Sequence, residues 1–148
     1  MKKIFLSAVF AMLFATSSLF AAEETEVNSV VLNAFKNQFT NASDVEWNTG
    51  SNYFKASFLY NNNFVNAFYS TEGDFIATTR NISSVNLPML LQTSLKQKYN
   101  NYWISDLYEL AKNDGTAYFI TLENADQKII LKSSGGTEWT LHKKSGKV

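Results

Sequence analysis

VLNAFKNQFTNASDVEWNTG, residues 31–50, and LQTSLKQKYNNYWISDLYEL, residues 91–110, say nearly the same thing sixty positions apart. Around the first, Val27, Val30, Val31, Ala34 and Phe35 follow an i, i+3, i+4, i+7, i+8 spacing, which lines up one apolar stripe on a helix. Sixty positions on, Leu87, Leu90, Leu91, Ser94 and Leu95 fall at the same phases. Lys36, Phe39 and Asn41 recur as Lys96, Tyr99 and Asn101. The second helix carries its own start signal: Asn86 is placed to cap it, and Pro88 suits a first turn that needs no backbone donor.

After each helix the apolar period changes from 3.6 to 2. NYFKASFLY (Asn52 to Tyr60) alternates, NNN (Asn61 to Asn63) turns, FVNAFYS (Phe64 to Ser70) alternates again, and DFIATTRNI follows a turn at Gly73. In the second half YWISDLYEL (Tyr102 to Leu110) reads as a strand and NDG (Asn113 to Gly115) as a hairpin turn. TAYFITLE, KIILK and TEWTLHKK complete it, with turns at Asn124 to Asp126 and at Gly135-Gly136. Neither half alone can cover both its helix stripe and its sheet face. Pooled, they predict an α+β domain: two tandem αβ repeats, residues 27–82 and 86–143, forming one antiparallel sheet with both helices on one face.

Alternation divides the strand residues. Val45, Trp47, Phe54, Phe58, Val65, Ala67 and Tyr69 are expected to point at the first helix. Tyr118, Ile120, Leu122, Ile129 and Leu131 are expected to do the same in the second half. Tyr53, Phe64, Phe68, Phe119, Thr121 and Ile130 then fall on the opposite face, with Lys55, Leu59 and Asn66. A register slip of one residue would exchange the two sets.

Ahead of this domain, Lys2 and Lys3 precede an apolar run that ends at Ala21-Ala22 before the charged EETE of Glu23 to Glu26. That pattern reads as a secretory signal peptide over residues 1–22. Leu19 or Phe20 stands where a small residue is preferred, so an uncleaved membrane anchor is the alternative reading. Without cysteine there is no lipid-anchored export, disulfide or thiol chemistry. Cleavage leaves 126 of 148 residues, enough for a single domain, 23–148, with a modest core. The two lysines lost with the signal leave 11 basic against 13 acidic residues, a net charge of −2. Nucleic acid is not the expected partner of such a chain, since phosphate binding needs clustered Lys and Arg. A periplasmic or secreted location follows, with no membrane span after cleavage.

The order of motifs resembles the PepSY-like family of exported bacterial proteins, also described as β-lactamase-inhibitor-like. The resemblance is carried by AFKNQFTNASDVEW (Ala34 to Trp47), VNAFYSTEGDFIATT (Val65 to Thr79), LPMLLQTSLKQKYNNYWI (Leu87 to Ile104) and DGTAYFITLE (Asp114 to Glu123). It implies a curved sheet built from the tandem repeat, and a relative that binds an enzyme on the concave surface of its sheet. It implies no established activity for the family itself. SSGGTEW (Ser133 to Trp139) departs from the acidic DADG-type turn often found at that place in the family. No residue pattern reproduces a known inhibitory contact set.

Catalytic chemistry finds little support. His142 is the single histidine and stands beside Lys143 and Lys144, so it reads as a solvated strand-end residue rather than a base. One histidine and no cysteine cannot build a common zinc site, and neither a nucleophilic triad nor a phosphate-binding glycine loop is present. EGD, NDG and NAD are oxygen-rich but lack calcium-loop spacing, and turn chemistry explains them. No catalytic residue, metal or cofactor is therefore assigned. Asp44 and Glu46 alternate on a strand and would define a carboxylate hydrolase if both lay in a cleft; charges protecting a sheet edge are the competing explanation.

Aromatic residues remain. The signal accounts for four of twenty-two, leaving eighteen in 126 residues. Either they stabilise the sheet by cross-strand pairing or some form a binding face. The expectation is a non-enzymatic module that docks a protein or peptide on the open sheet face, with contacts at Tyr53, Phe64, Phe68 and Phe119 and further ones at Trp103 and Trp139. The rival is a carrier of a small apolar ligand in a cavity lined by Val31, Phe35 and Leu95.

Overall fold

The structure, a computed structural model, describes residues 26–146, so the export segment read at 1–22 lies outside the described residues. Helix α1 (Ser29–Gln38) is followed by strands β1 (Ser43–Thr49), β2 (Tyr53–Tyr60), β3 (Asn63–Ser70) and β4 (Phe75–Asn81). A single 3-10 turn (Ser84–Asn86) leads into α2 (Met89–Lys98). Strands β5 (Trp103–Lys112), β6 (Gly115–Glu123), β7 (Gln127–Ser134) and β8 (Thr140–Gly146) follow. All eight strands join one open antiparallel sheet in chain order, an α+β fold.

Each helix has ten residues, too few to be stable in water alone, so packing must hold it. Asn28 starts α1 by accepting a hydrogen bond from the Val31 amide at 2.9 Å. Asn86 does not cap α2 as expected. Its side chain accepts from the Ser83 amide and closes the 3-10 turn, while Pro88 occupies the cap position. Gln92 of α2 instead reaches back to donate to the Leu87 carbonyl at 2.8 Å. Between β2 and β3, Asn61 and Asn62 both adopt positive φ (49° and 61°), the type I′ geometry whose twist matches a two-residue hairpin.

The helices pack on two distinct cores. Val31 and Phe35 of α1 bury against Phe54, Ala56, Phe58, Val65, Ala67 and Tyr69. The Phe35 ring meets Phe58 edge-on with centroids 4.9 Å apart, and Trp47 likewise at 5.3 Å. The second core is aliphatic: Leu87 and Leu91 bury against Leu107, Ile120, Leu122, Ile129 and Leu131. Strand β5 closes the second core onto the first half of the sheet through its pairing with β4, where Arg80 and Glu109 form a two-point ion pair at 3.0 and 3.4 Å.

Three positions depart from the alternation read in the sequence. Val45 is exposed because a bulge interrupts β1 between Ser43 and Glu46, with Asp44 in the left-handed region at φ 51°. Val30 and Leu90, read as part of the two helix stripes, are 57% and 60% exposed. A ten-residue helix lying on a sheet touches it along one line, and these side chains fall beside that line.

Candidate docking surface

Strand alternation places a second set of side chains on the other side of each strand from its buried residues. Along β2 the buried Phe54, Ala56 and Phe58 are interleaved with Tyr53, Lys55, Ser57 and Leu59. Directly paired residues of antiparallel strands share a side. The register therefore carries Lys55 to Phe68 to Ala77, and Ser57 to Asn66 to Thr79 to Leu110 to Ala117. A third row runs from Asn81 to Tyr108 to Phe119 to Lys132.

Side-chain size shapes this surface. Strand β4 presents the small residues Ala77 and Thr79, with the larger Ile76 at one end, whereas its neighbours present Phe68 on one flank and Tyr108 and Leu110 on the other. The result is a groove of about 520 Å³ along β4, floored by Ala77 and Thr79 and walled by Tyr53, Phe68, Tyr108 and Leu110. Its lining is mainly apolar, with Asn81 and Lys112 supplying polar ends.

The walls are braced. Tyr53 packs on Phe68 with ring centroids 5.8 Å apart. Tyr108 stacks on Phe119 at 5.1 Å with planes 9° apart, His142 meets Phe119 edge-on at 5.6 Å, and the Lys132 ammonium stands 5.6 Å from the same ring. Burial pushes the Tyr108 phenol pKa up, and the nearby Asp106 carboxylate adds to this. Beside the groove, Ser57 donates to Asn66 Oδ1 at 2.8 Å and Asn66 donates to Thr79 at 3.4 Å, a polar ladder that fixes these side chains across three strands.

Of the eighteen aromatic residues past residue 22, twelve pack in the two cores. The other six are Tyr53, Phe64, Phe68, Trp103, Tyr108 and Phe119. Phe68 and Phe119 lie apart: Phe68 forms one wall of the groove, and Phe119 stacks behind Tyr108 of the other. Phe64 lies at the β2–β3 end of the sheet, opposite Leu59 and 81% exposed. Trp103 lies at the far end of β5, opposite Glu123. Trp139 is the correction: it precedes β8, packs on the second core and donates its indole N–H to the Leu91 carbonyl. It belongs to the helix-bearing core and not to the groove. Sequence reasoning missed Tyr108, Leu110 and Lys112. Their signal was the alternation in β5, where Leu107 and Glu109 face one way and Tyr108 and Leu110 the other.

The rival sites are not assembled as expected. Val31 and Phe35 lie in the first core and Leu95 in the second, so they do not line one cavity. Leu95 borders a separate recess of about 220 Å³ under α2. Asp44 and Glu46 are both exposed on the edge strand β1, and the bulge between them breaks the shared orientation. Among the described residues, no group of three or more His, Cys, Asp or Glu side chains could hold a metal.

No family model matches the chain, and no curated protein is significantly similar to it in sequence. Solved structures are similar. A BLIP-like protein from Bacteroides fragilis superposes with a TM-score of 0.69 at 21% identity, covering 82% of this chain and 86% of that one. The fold is BLIP-like. A DUF2874 family protein from Bacteroides ovatus gives a TM-score of 0.71 at 17% identity, with 82% and 88% covered. A protein from Bacteroides eggerthii, provisionally described as periplasmic, gives 0.71 at 10% identity, with 82% and 89% covered. The BLIP-like fold thus accommodates this chain over most of its length, and at these identities the likeness is one of fold alone. Among the described residues, no helix is long and apolar enough to cross a membrane.

Proposed function

We propose that this chain is an exported, non-enzymatic binding module, PepSY-like and β-lactamase-inhibitor-like in kind, that docks a protein or peptide in the groove along β4. The observation that carries the reading is that groove, a braced apolar trough on an open sheet surface. A preformed aromatic trough gives large contact area at little entropic cost. A BLIP-like protein among the structural neighbours supports a binding role. Signal-peptide features at residues 1–22 and a neighbour described as periplasmic support export.

The reading includes two tandem αβ modules whose helices share one side of the sheet. The register supports it: Val65, in the first core, pairs with Arg80, Arg80 pairs with Glu109, and Glu109 is two residues from Leu107 in the second core. The two helices also begin and end sixty positions apart, and each is stopped by an equivalent backbone bond, Phe39 to Phe35 and Tyr99 to Leu95. Helices on that side leave the groove side free for a partner. Tyr53, Phe68 and Tyr108 are its central contacts, with Phe119 bracing Tyr108 and Phe64 and Trp103 peripheral.

The test is affinity capture from the native envelope fraction with the mature chain and with a Phe68→Ala/Tyr108→Ala variant. A partner held by the first and lost by a folded variant is expected. Equal retention by both would overturn the groove as the docking site.

A further inference from the structure

The charges around the groove are not those of the chain as a whole. Residues 23–148 carry a net charge of −2, yet a lysine stands on each flank of the groove, Lys55 on β2 and Lys112 on β5. Lys55 lies directly opposite Phe68 across the β2–β3 pair. Lys112 lines one end of the groove. Lys132 reaches over the Phe119 ring, and Lys143 pairs with Ile130 on the same side of the sheet. Of the carboxylates on this side, Asp106 is the near one, two residues from Tyr108 and opposite Thr121. Glu123 is held by Lys128 at 3.4 Å, Glu46 is on the edge strand β1, and Asp114 is in the β5–β6 turn. None of them lines the groove.

We infer that the groove takes an acidic protein segment, one that presents an aromatic or large aliphatic side chain flanked by Asp or Glu. The inference rests on the docking reading above and adds the chemistry of the partner. The apolar side chain fills the trough between Phe68 and Tyr108. Its flanking carboxylates meet Lys55 and Lys112 on the two sides, with Lys132 behind the second wall. A low-dielectric trough with lysines at its rim concentrates positive potential there, which speeds encounter with an acidic segment and disfavours a basic one. A single-stranded nucleic acid would meet the same lysines, but it binds by stacking successive bases on open ring faces. Here Tyr108 and Phe119 each have one face covered by the other, so the two rings offer no run of successive open platforms.

The experiment is an NMR titration of the isotopically labelled mature chain with three capped pentapeptides. Each has a central Phe, flanked on both sides by two acidic residues, two lysines or two serines. An oligothymidylate is the fourth probe. The acidic peptide is expected to shift β4 and β5 amides around Ala77 and Tyr108, and to bind about tenfold tighter than the lysine peptide at low salt. At 1 M salt, where the screening length is about 3 Å, that preference is expected to fall to about twofold. In the Lys55→Glu/Lys112→Glu/Lys132→Glu variant it is expected to invert. Equal or tighter binding of the serine or lysine peptide would overturn the acidic partner and leave the docking groove standing. Tighter binding of the oligothymidylate would overturn it in favour of nucleic acid. If no probe shifts the groove at millimolar concentration, the docking reading falls together with the inference.

Discussion

The indole N–H of Trp139 donates to the backbone carbonyl of Leu91 at 3.2 Å, joining the segment before β8 to the first turn of α2 across 48 residues. Leu91 is fully buried in the second core, and Trp139 covers one flank of it. This contact explains how a helix with an exposed Met89, an exposed Leu90 and a weakly apolar sequence stays on the sheet. Replacing Trp139 with Phe keeps most of the packing and loses the bond, which should cost about 1 kcal/mol. Trp139→Ala should cost about 3 kcal/mol in urea unfolding. Groove binding should be unchanged in the Phe variant.

Phe64 and Phe58 share an aromatic side chain and strands that pair, yet they should respond oppositely. Phe64 is 81% exposed and has water around most of its ring, whereas Phe58 is 1% exposed beneath Phe35 and Phe39. Phe64→Ser should move stability by no more than about 0.5 kcal/mol. Phe58→Ala should lower it by about 3–5 kcal/mol through lost transfer energy and a residual cavity. Chemical denaturation of the two variants side by side measures both.

Tyr69 makes stability fall in alkali. Its hydroxyl donates to Gln38 Oε1 at 2.8 Å, tying β3 to the last turn of α1, and burial raises its pKa from 10.0 to about 12. The folded state therefore keeps this proton at pH values where the unfolded chain releases it. The contribution is complete below about pH 10 and is lost as pH rises from 10 through 12. A Tyr69→Phe variant should show a shallower decline over that window when unfolding is followed as a function of pH.

Ser133 is 1% exposed, and among the described residues its Oγ has no hydrogen-bond partner. A buried hydroxyl without a partner carries its desolvation penalty uncompensated. Ser133→Ala should therefore be neutral or stabilising by up to about 1 kcal/mol, against the usual direction for a buried substitution. Calorimetry of the variant should show an unchanged or higher Tm.

Much of the fold is legible in periodicity. The switch from 3.6 to 2 after each apolar stripe marks α1 and α2 and the strands behind them. Nine of the twelve strand residues expected to face the helices, from Phe54 to Leu131, are buried in the cores, and Trp47 and Tyr118 pack against them half-buried. Val45 failed because a bulge shifts the phase by one residue, and nothing in the local sequence compels Asp44 into the left-handed region. Trp139 failed for a different reason. TEWTLHKK alternates acceptably, but the strand starts only at Thr140, just after Trp139, so the indole leaves the sheet and meets α2.

By itself the chain determined its local chemistry: two apolar stripes, eight extended segments, turns at Asn61-Asn62 and Gly135-Gly136, and an excess of rings over what a small core can hide. Local spacing is enough for these, because helix and strand periods and turn dihedrals act over a few residues. Only the tertiary structure decided where the rings went. Phe68 and Tyr108 lie forty positions apart, and they become facing walls because β4 lies between them in a particular register and carries small side chains there. Register is a property of pairing between distant segments, so no single stretch of sequence encodes the groove.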